Sequence, residues 1–190
     1  MSDSEAVPPP HSSVVRRETR ETRIALEVSR GTGAATVTTG VPFLDHMMAT
    51  LARYAALDVT LRAEGDLRHH VIEDVAIAMG KGIAELASGG IARFGDRTVP
   101  MDEALVHASL DLGGRAYYRG PIPSSLYDHW MRSFADNAGA TLHLRVLRGI
   151  DRHHVVEGAF KALGLALRDA LAPAGTGVFS TKGEISLDVR

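Results

Sequence analysis

The sequence predicts an α+β chain made of two similar halves, and three observations carry that expectation. Segments whose apolar residues alternate are interleaved with segments whose apolar residues fall three and four apart, so strands and helices take turns along the chain. The order of these segments in the first half is repeated in the second. The two halves also superpose without gaps at an offset of 84 residues: Gly65 falls on Gly149, Arg68 on Arg152, His69-His70-Val71 on His153-His154-Val155, Glu73 on Glu157 and Gly80 on Gly164. So rare a constellation, found twice in one strand–turn–helix setting, marks an internal duplication.

Each element has its own signal. Residues 1–15 are rich in Ser, Pro and acid and are expected to form a disordered tail in which His11 is inert. The tail lacks the basic start and continuous apolar stretch of a signal peptide, which makes the cytoplasm the expected compartment. In Thr22 to Val28, Ile24, Leu26 and Val28 share one face of a strand, and a second strand is expected from Ala35 to Thr39. Pro42 opens a helix that continues through Met47, Met48, Leu51 and Ala55 at helical spacing. A strand from Asp58 to Ala63 follows, then a helix from His69 to about Leu86, closed by Gly89 and Gly90. The second half reads alike: a strand from Ala104 to Leu112, a helix from Tyr127 to Ala138 closed near Gly139, a strand from Thr141 to Leu147 and a helix from His153 to Leu171. The expected division is a tail over 1–15, a first half over 16–98 and a second over 99–190, together one compact domain.

Composition narrows the chemistry. The 190 residues are 45% apolar and 23% charged, enough apolar material for a core. A net charge of −2 gives no electrostatic footprint for nucleic acid or an anionic membrane. No apolar run is long enough to span a bilayer. Cysteine is absent, which removes disulfides, iron–sulfur clusters and thiol nucleophiles. Any metal must be held by nitrogen and oxygen, and the nine histidines are the residues to follow.

Both copies of the repeated motif read His-His-x-x-Glu at the first turn of a helix: His69, His70 and Glu73, then His153, His154 and Glu157. Residues three and four apart share a helix face, so each Glu can join one of its histidines on a single ion. Adjacent histidines project about 100° apart, so each pair is expected to serve two different metals. Asp74, beside Glu73, is a candidate to hold one imidazole in orientation. His46, at a helix start, and His143, mid-strand, bring the set to six histidines and two glutamates, three His and one Glu for each of two ions. Such a set with open octahedral positions suits Mn(II), Fe(II), Co(II) or Ni(II). His11, His107 and His129 are read as ordinary surface or core histidines. The bland alternative for the motif is a solvated helix start whose Glu complements the helix dipole.

The two His-His-x-x-Glu motifs, with Phe43-Leu44-Asp45-His46 and Thr141-Leu142-His143, resemble the imidazoleglycerol-phosphate dehydratase family of histidine biosynthesis. Arg17 to Thr22, Gly90 to Gly95 and Pro100 to Ala104 resemble further family segments, so the similarity runs from about Arg17 to Gly183. The resemblance implies a duplicated α+β fold in which each half is a small mixed sheet backed by helices. It implies a manganese-dependent lyase with two Mn2+ per active site, assembled as a homo-oligomeric shell of 24 subunits with active sites at subunit contacts. Carried over by position, the metal ligands are His46, His69, His70, Glu73, His143, His153, His154 and Glu157. The same carry-over gives Arg93, Arg115, Ser180 and Lys182 the substrate phosphate, and places Glu21 near the reacting carbons as the proton-moving residue. A phosphate suits a bidentate guanidinium, a compact ammonium and small donors.

The reaction so implied is dehydration of D-erythro-imidazoleglycerol phosphate to imidazoleacetol phosphate, through a metal-bound imidazolate and a diazafulvene-like intermediate. The chain departs from the family in four places. The Gly65 to His69 approach is shorter, Val71 replaces a Thr, Ala116 replaces a Pro, and Phe179 replaces a Pro before Ser180. None of these removes a ligand. Two competing readings remain at this level: a hydrolase built on the same dinuclear site, and a non-catalytic metal-binding shell.

Overall fold

The structure, a computed structural model, describes residues 11–174. Ser180 and Lys182 lie outside the described residues. The first half runs β1 (Ser12–Glu18), β2 (Thr22–Arg30), β3 (Ala35–Thr38), α1 (Pro42–Ala55), β4 (Leu57–Gly65) and α2 (Arg68–Leu86). The second repeats that order as β5 (Phe94–Met101), β6 (Ala104–Leu112), β7 (Tyr117–Arg119), α3 (Ser125–Ala138), β8 (Ala140–Arg148) and α4 (Arg152–Ala170). Each half forms a four-stranded mixed sheet, in the orders β1-β2-β4-β3 and β5-β6-β8-β7. The last-named strand of each sheet runs parallel to its neighbour, and the other pairs are antiparallel.

Side-chain alternation decides which face of each sheet is covered. Thr22, Ile24, Leu26 and Val28 point inward from β2 while Arg23, Ala25 and Glu27 point out. From β6, Ala104, Val106, Ala108, Leu110 and Leu112 point inward. One face is therefore apolar and the other solvated, the usual pattern of a one-sided antiparallel sheet. Helices α1 and α2 cover the first sheet and α3 and α4 the second, while α1 packs on α4 and α2 on α3. The four helices are thus enclosed between two sheets around one core, in which Trp130, Phe134 and Phe160 are fully buried. The Trp130 ring stacks on Phe134 at 5.3 Å and meets Phe160 at 4.7 Å.

Close helix contact needs glycine at equivalent places. A Cβ on Gly80 of α2 would stand 2.7 Å from the Phe134 carbonyl oxygen of α3. A Cβ on Gly164 of α4 would stand 2.8 Å from Tyr54 Cβ and 3.1 Å from the Leu51 carbonyl oxygen of α1. Both contacts rule out a side chain without helix movement.

The structure corrects three expectations. Ser12 to Val15, within the segment read as a tail, belong to strand β1, which pairs with β2 in the register Ser12↔Ser29 to Glu18↔Arg23. Its inward positions are Ser13, Val15 and Arg17, a weakly apolar set that hides the alternation. The boundary expected between 98 and 99 falls inside β5; the halves are instead joined by the loop following α2. Strands β5 and β7 were also not anticipated. β5 carries Gly95 and Pro100, which suit an edge strand, and a Cβ at Gly95 would collide with the Ala166 carbonyl. Among the described residues, no helix is long and apolar enough to cross a membrane.

Candidate metal centre

The first turns of all four helices meet at one end of the molecule. Phe43 of α1, Arg68 of α2, Tyr127 of α3 and His153 of α4 line one open cavity of about 380 Å³ there. Burial pushes the Tyr127 phenol up to about 12, with the Arg68 guanidinium pulling against it.

Two clusters of ligating side chains flank this opening, each built across the halves. In the first, His46 from α1 meets His153 and Glu157 from α4. Glu157 Oε2 lies 3.3 Å from His46 Nε2 and 3.1 Å from His153 Nε2. Its other oxygen, Oε1, accepts from Lys161 Nζ at 2.9 Å. Burial alone would push the Glu157 carboxyl up; Lys161 and His46 more than offset it and hold the group below its ordinary value. The Phe43 ring packs 5.0 Å from the His153 ring and forms an apolar wall.

In the second, His129 from α3 meets His69 and Glu73 from α2. Glu73 offers Oε1 to His129 Nε2 at 3.3 Å and Oε2 to His69 Nε2 at 3.5 Å, and the two rings stack 5.4 Å apart. His129 Nε2 is buried and makes no hydrogen bond. In each cluster the ligand atoms lie within 4.8 Å of one another. Two imidazoles and a carboxylate converging in this way, one imidazole nitrogen buried and orphaned, fit a borderline divalent cation.

The sequence-predicted residues are distributed as follows. His46, His153 and Glu157 come together, as do His69 and Glu73. His70 and His154 join neither cluster: about 100° round the helix from their neighbours, each turns away from the cluster to a carboxylate. His70 Nδ1 lies 2.8 Å from Asp66 Oδ1, and His154 Nδ1 lies 2.7 Å from Glu103 Oε2. These contacts hold both histidines above their ordinary value and hold Asp66 and Glu103 below theirs, Glu103 at about 2. Glu21 sits beside His70, its Oε2 3.6 Å from Nδ1.

His143 does not join a cluster within the chain. Leu142 and Leu144 point inward from β8, so His143 points to the outer, helix-free face, where its ring lies 5.5 Å from Tyr117. Asp74 holds no imidazole either. It accepts from the Thr22 hydroxyl and pairs with Arg17 at 2.9 Å, tying α2 to the first sheet.

Arg93 and Arg115 stand at the opposite end of the molecule. The Arg93 backbone N–H bonds to Ala170 at the far end of α4, roughly 26 Å from His153 at 1.5 Å per residue. Its guanidinium forks onto Asp111 at 2.6 and 3.0 Å, which raises it above its ordinary value. Arg115 is exposed in the turn between β6 and β7, where its carbonyl accepts from Thr141.

His129 is the ligand candidate that sequence reasoning passed over, although a signal for it exists. Helices α1 and α3 both have 14 residues and start at Pro42 and Ser125, an offset of 83 rather than 84. At 83, Asp45-His46 falls on Asp128-His129. Both aspartates tie the helix start to the loop before it. Asp45 accepts from Thr39 N–H at 2.9 Å, and Asp128 accepts from Tyr118 O–H at 2.6 Å and Ile122 N–H at 3.0 Å.

Comparison with known proteins agrees with the fold. The family model described as imidazoleglycerol-phosphate dehydratase matches residues 39–167. An imidazoleglycerol-phosphate dehydratase of Methanoculleus marisnigri is 46% identical over 92% of this chain and 99% of its own. One of Pyrobaculum aerophilum is 49% identical over 88% of this chain and 96% of its own. The crystal structure of the Pyrococcus furiosus enzyme superposes with a TM-score of 0.81 at 36% identity, covering 90% of this chain and 100% of that one. That of Staphylococcus aureus gives 0.78 at 28% identity, covering 86% and 99%. With a family match across two thirds of its length and relatives aligned nearly end to end, the chain belongs to the imidazoleglycerol-phosphate dehydratase family, lyases of histidine biosynthesis.

Proposed function

We propose that this chain dehydrates D-erythro-imidazoleglycerol phosphate to imidazoleacetol phosphate with the help of two divalent ions, Mn2+ in the first instance. The observation that carries the reading is the matched pair of His–His–Glu clusters at the shared helix end. His46, His153 and Glu157 would hold one ion, and His69, His129 and Glu73 the other. When bound, such ions supply Lewis-acid stabilisation to a deprotonated substrate imidazole.

The chain's own residues take the remaining tasks. Lys161 keeps Glu157 ionised inside the fold. Glu21, with an exposed carboxylate next to His70, would carry the proton between carbon and oxygen. Arg93 and Arg115, with Ser180 and Lys182, would receive the phosphate. Because Arg93 and the clusters occupy opposite ends of one chain, a complete site would draw on more than one copy. That requirement, with His70 and His154 standing outside both clusters, supports a homo-oligomer with sites at subunit contacts, the 24-subunit shell being the form the family resemblance suggests. A cytoplasmic setting suits a biosynthetic lyase of this kind.

The test is turnover of imidazoleglycerol phosphate by metal-stripped protein before and after Mn(II) is added. Dehydration restored by Mn(II) is the expected result. Absence of turnover with metal demonstrably bound would overturn the reading and favour hydrolysis at the same site.

A further inference from the structure

The two histidines outside the clusters, His70 and His154, are held in different ways in the two halves, and the difference bears on Glu21. An ionised carboxylate only accepts hydrogen bonds, so the contacts of His70 with Asp66 and of His154 with Glu103 place the ring proton on Nδ1. In the neutral ring Nε2 then keeps its lone pair for a cation, the arrangement in which a carboxylate orients a ligating imidazole; Nε2 of His154 also has Asp102 Oδ2 3.5 Å away. In the second half the carboxylate comes from Glu103, immediately before β6; it also accepts from the Ile150 and Asp151 N–H groups at 3.2 and 2.8 Å.

The equivalent of Glu103 in the first half is Glu21, immediately before β2. Yet Glu21 stands 3.6 Å from His70 Nδ1, while Asp66 reaches the same atom at 2.8 Å. Asp66 corresponds at the offset of 84 to Ile150, whose side chain cannot accept a hydrogen bond. Asp66 lies on the shortened approach to His69, four residues ahead of His70, and also accepts from the Leu67 N–H at 2.7 Å.

We infer that Asp66 is a positioning residue: it fixes the His70 ring with Nε2 available to a metal, and so leaves the Glu21 carboxylate without a hydrogen bond to that ring. The first half thereby separates two tasks, while in the second Glu103 spends its carboxylate on holding His154. Glu21 remains 58% exposed. The inference rests on the proposed metal site, with His70 the further ligand that the family resemblance implies.

The test is Mn(II) binding to the purified full chain, followed by the electron paramagnetic resonance signal of the free ion, for wild type, Asp66→Ala, Asp66→Asn and Glu21→Gln. Loss of an orienting partner weakens metal binding about 10–100-fold, which is expected for Asp66→Ala. Asp66→Asn keeps an oxygen acceptor and should recover most of the loss. Glu21→Gln should bind Mn(II) as wild type does. Asp66 is exposed, so the metal-free melting temperature of each variant checks that the fold is intact. Wild-type affinity in Asp66→Ala, no recovery in Asp66→Asn, or an equal loss in Glu21→Gln would each overturn the inference alone. A wild-type chain that takes up no Mn(II) would instead overturn the metal reading and this inference with it.

Discussion

Glu73 meets two imidazoles, whereas Glu157 meets two imidazoles and the Lys161 ammonium. At the offset of 84 the counterpart of Lys161 is Ile77, so the second cluster has no such cation and leaves both oxygens of Glu73 to its histidines. His129 therefore matters to that cluster as the only imidazole contributed by the opposite half. His129→Ala should weaken Mn(II) binding at least about 100-fold, at or beyond the upper end of what disturbing a ligand's support costs. His143→Ala should leave it unchanged, because β8 turns that ring to the outer face. Equilibrium dialysis with metal analysis of both variants checks this, and the opposite ranking would remove His129 from the site. Most of the cluster was legible in the sequence because His-His-x-x-Glu is a local pattern whose helical geometry is fixed. His129 was not, because a one-residue difference in length between the halves displaces it from an ungapped repeat. The orienting role expected of Asp74 also went elsewhere: the Thr22 hydroxyl and the Arg17 guanidinium claim that carboxylate from the sheet beneath, a contact set by packing and not by spacing.

At the scale of elements, what the sequence concealed lies at the sheet edges. The inner strands β2, β4, β6 and β8 and all four helices follow their apolar periodicity. β1, β5 and β7 are edge strands that bury few side chains, so their pairing is fixed by partners distant in sequence. The helix ends repeat more faithfully. Helices α1 and α3 both finish in a left-handed residue whose N–H returns to the preceding turn: Ala56 at φ 52° and Gly139 at φ 60°. An alanine in that conformation costs about 1 kcal/mol where glycine costs little. Ala56→Gly should raise the melting temperature of metal-free protein by roughly 2–4 °C for a chain of this size. Gly164→Ala should lower it, because the new methyl meets Tyr54 and the Leu51 carbonyl. Calorimetry of both variants tests the pair of directions.

Across the whole molecule, ligating groups fall into two sets. Each cluster gathers side chains from two helices, while His70 and His154 stand outside both, held on carboxylates, with apolar Ile150 94% exposed close to the latter. Exposed apolar surface next to an unshared metal ligand calls for a covering partner, and a second copy of the chain answers both needs. Chelation should therefore reduce the particle mass measured by light scattering after size exclusion, and Mn(II) should restore it; a mass indifferent to chelator would separate assembly from metal. None of this was readable from composition or periodicity, which report one chain's core and say nothing of where a neighbour sits.

The crossing of helices between the halves, α1 with α4 and α3 with α2, also constrains how such a molecule could have arisen. Neither half holds a complete cluster by itself, since each takes a His-x-x-x-Glu pair from one half and a single histidine from the other. A precursor of half the length could have formed these clusters only as a symmetric pair, with the same two clusters generated by its twofold axis. Fusion of the two copies would then have freed each to change independently, and Lys161 opposite Ile77, like Asp66 opposite Ile150, records that freedom.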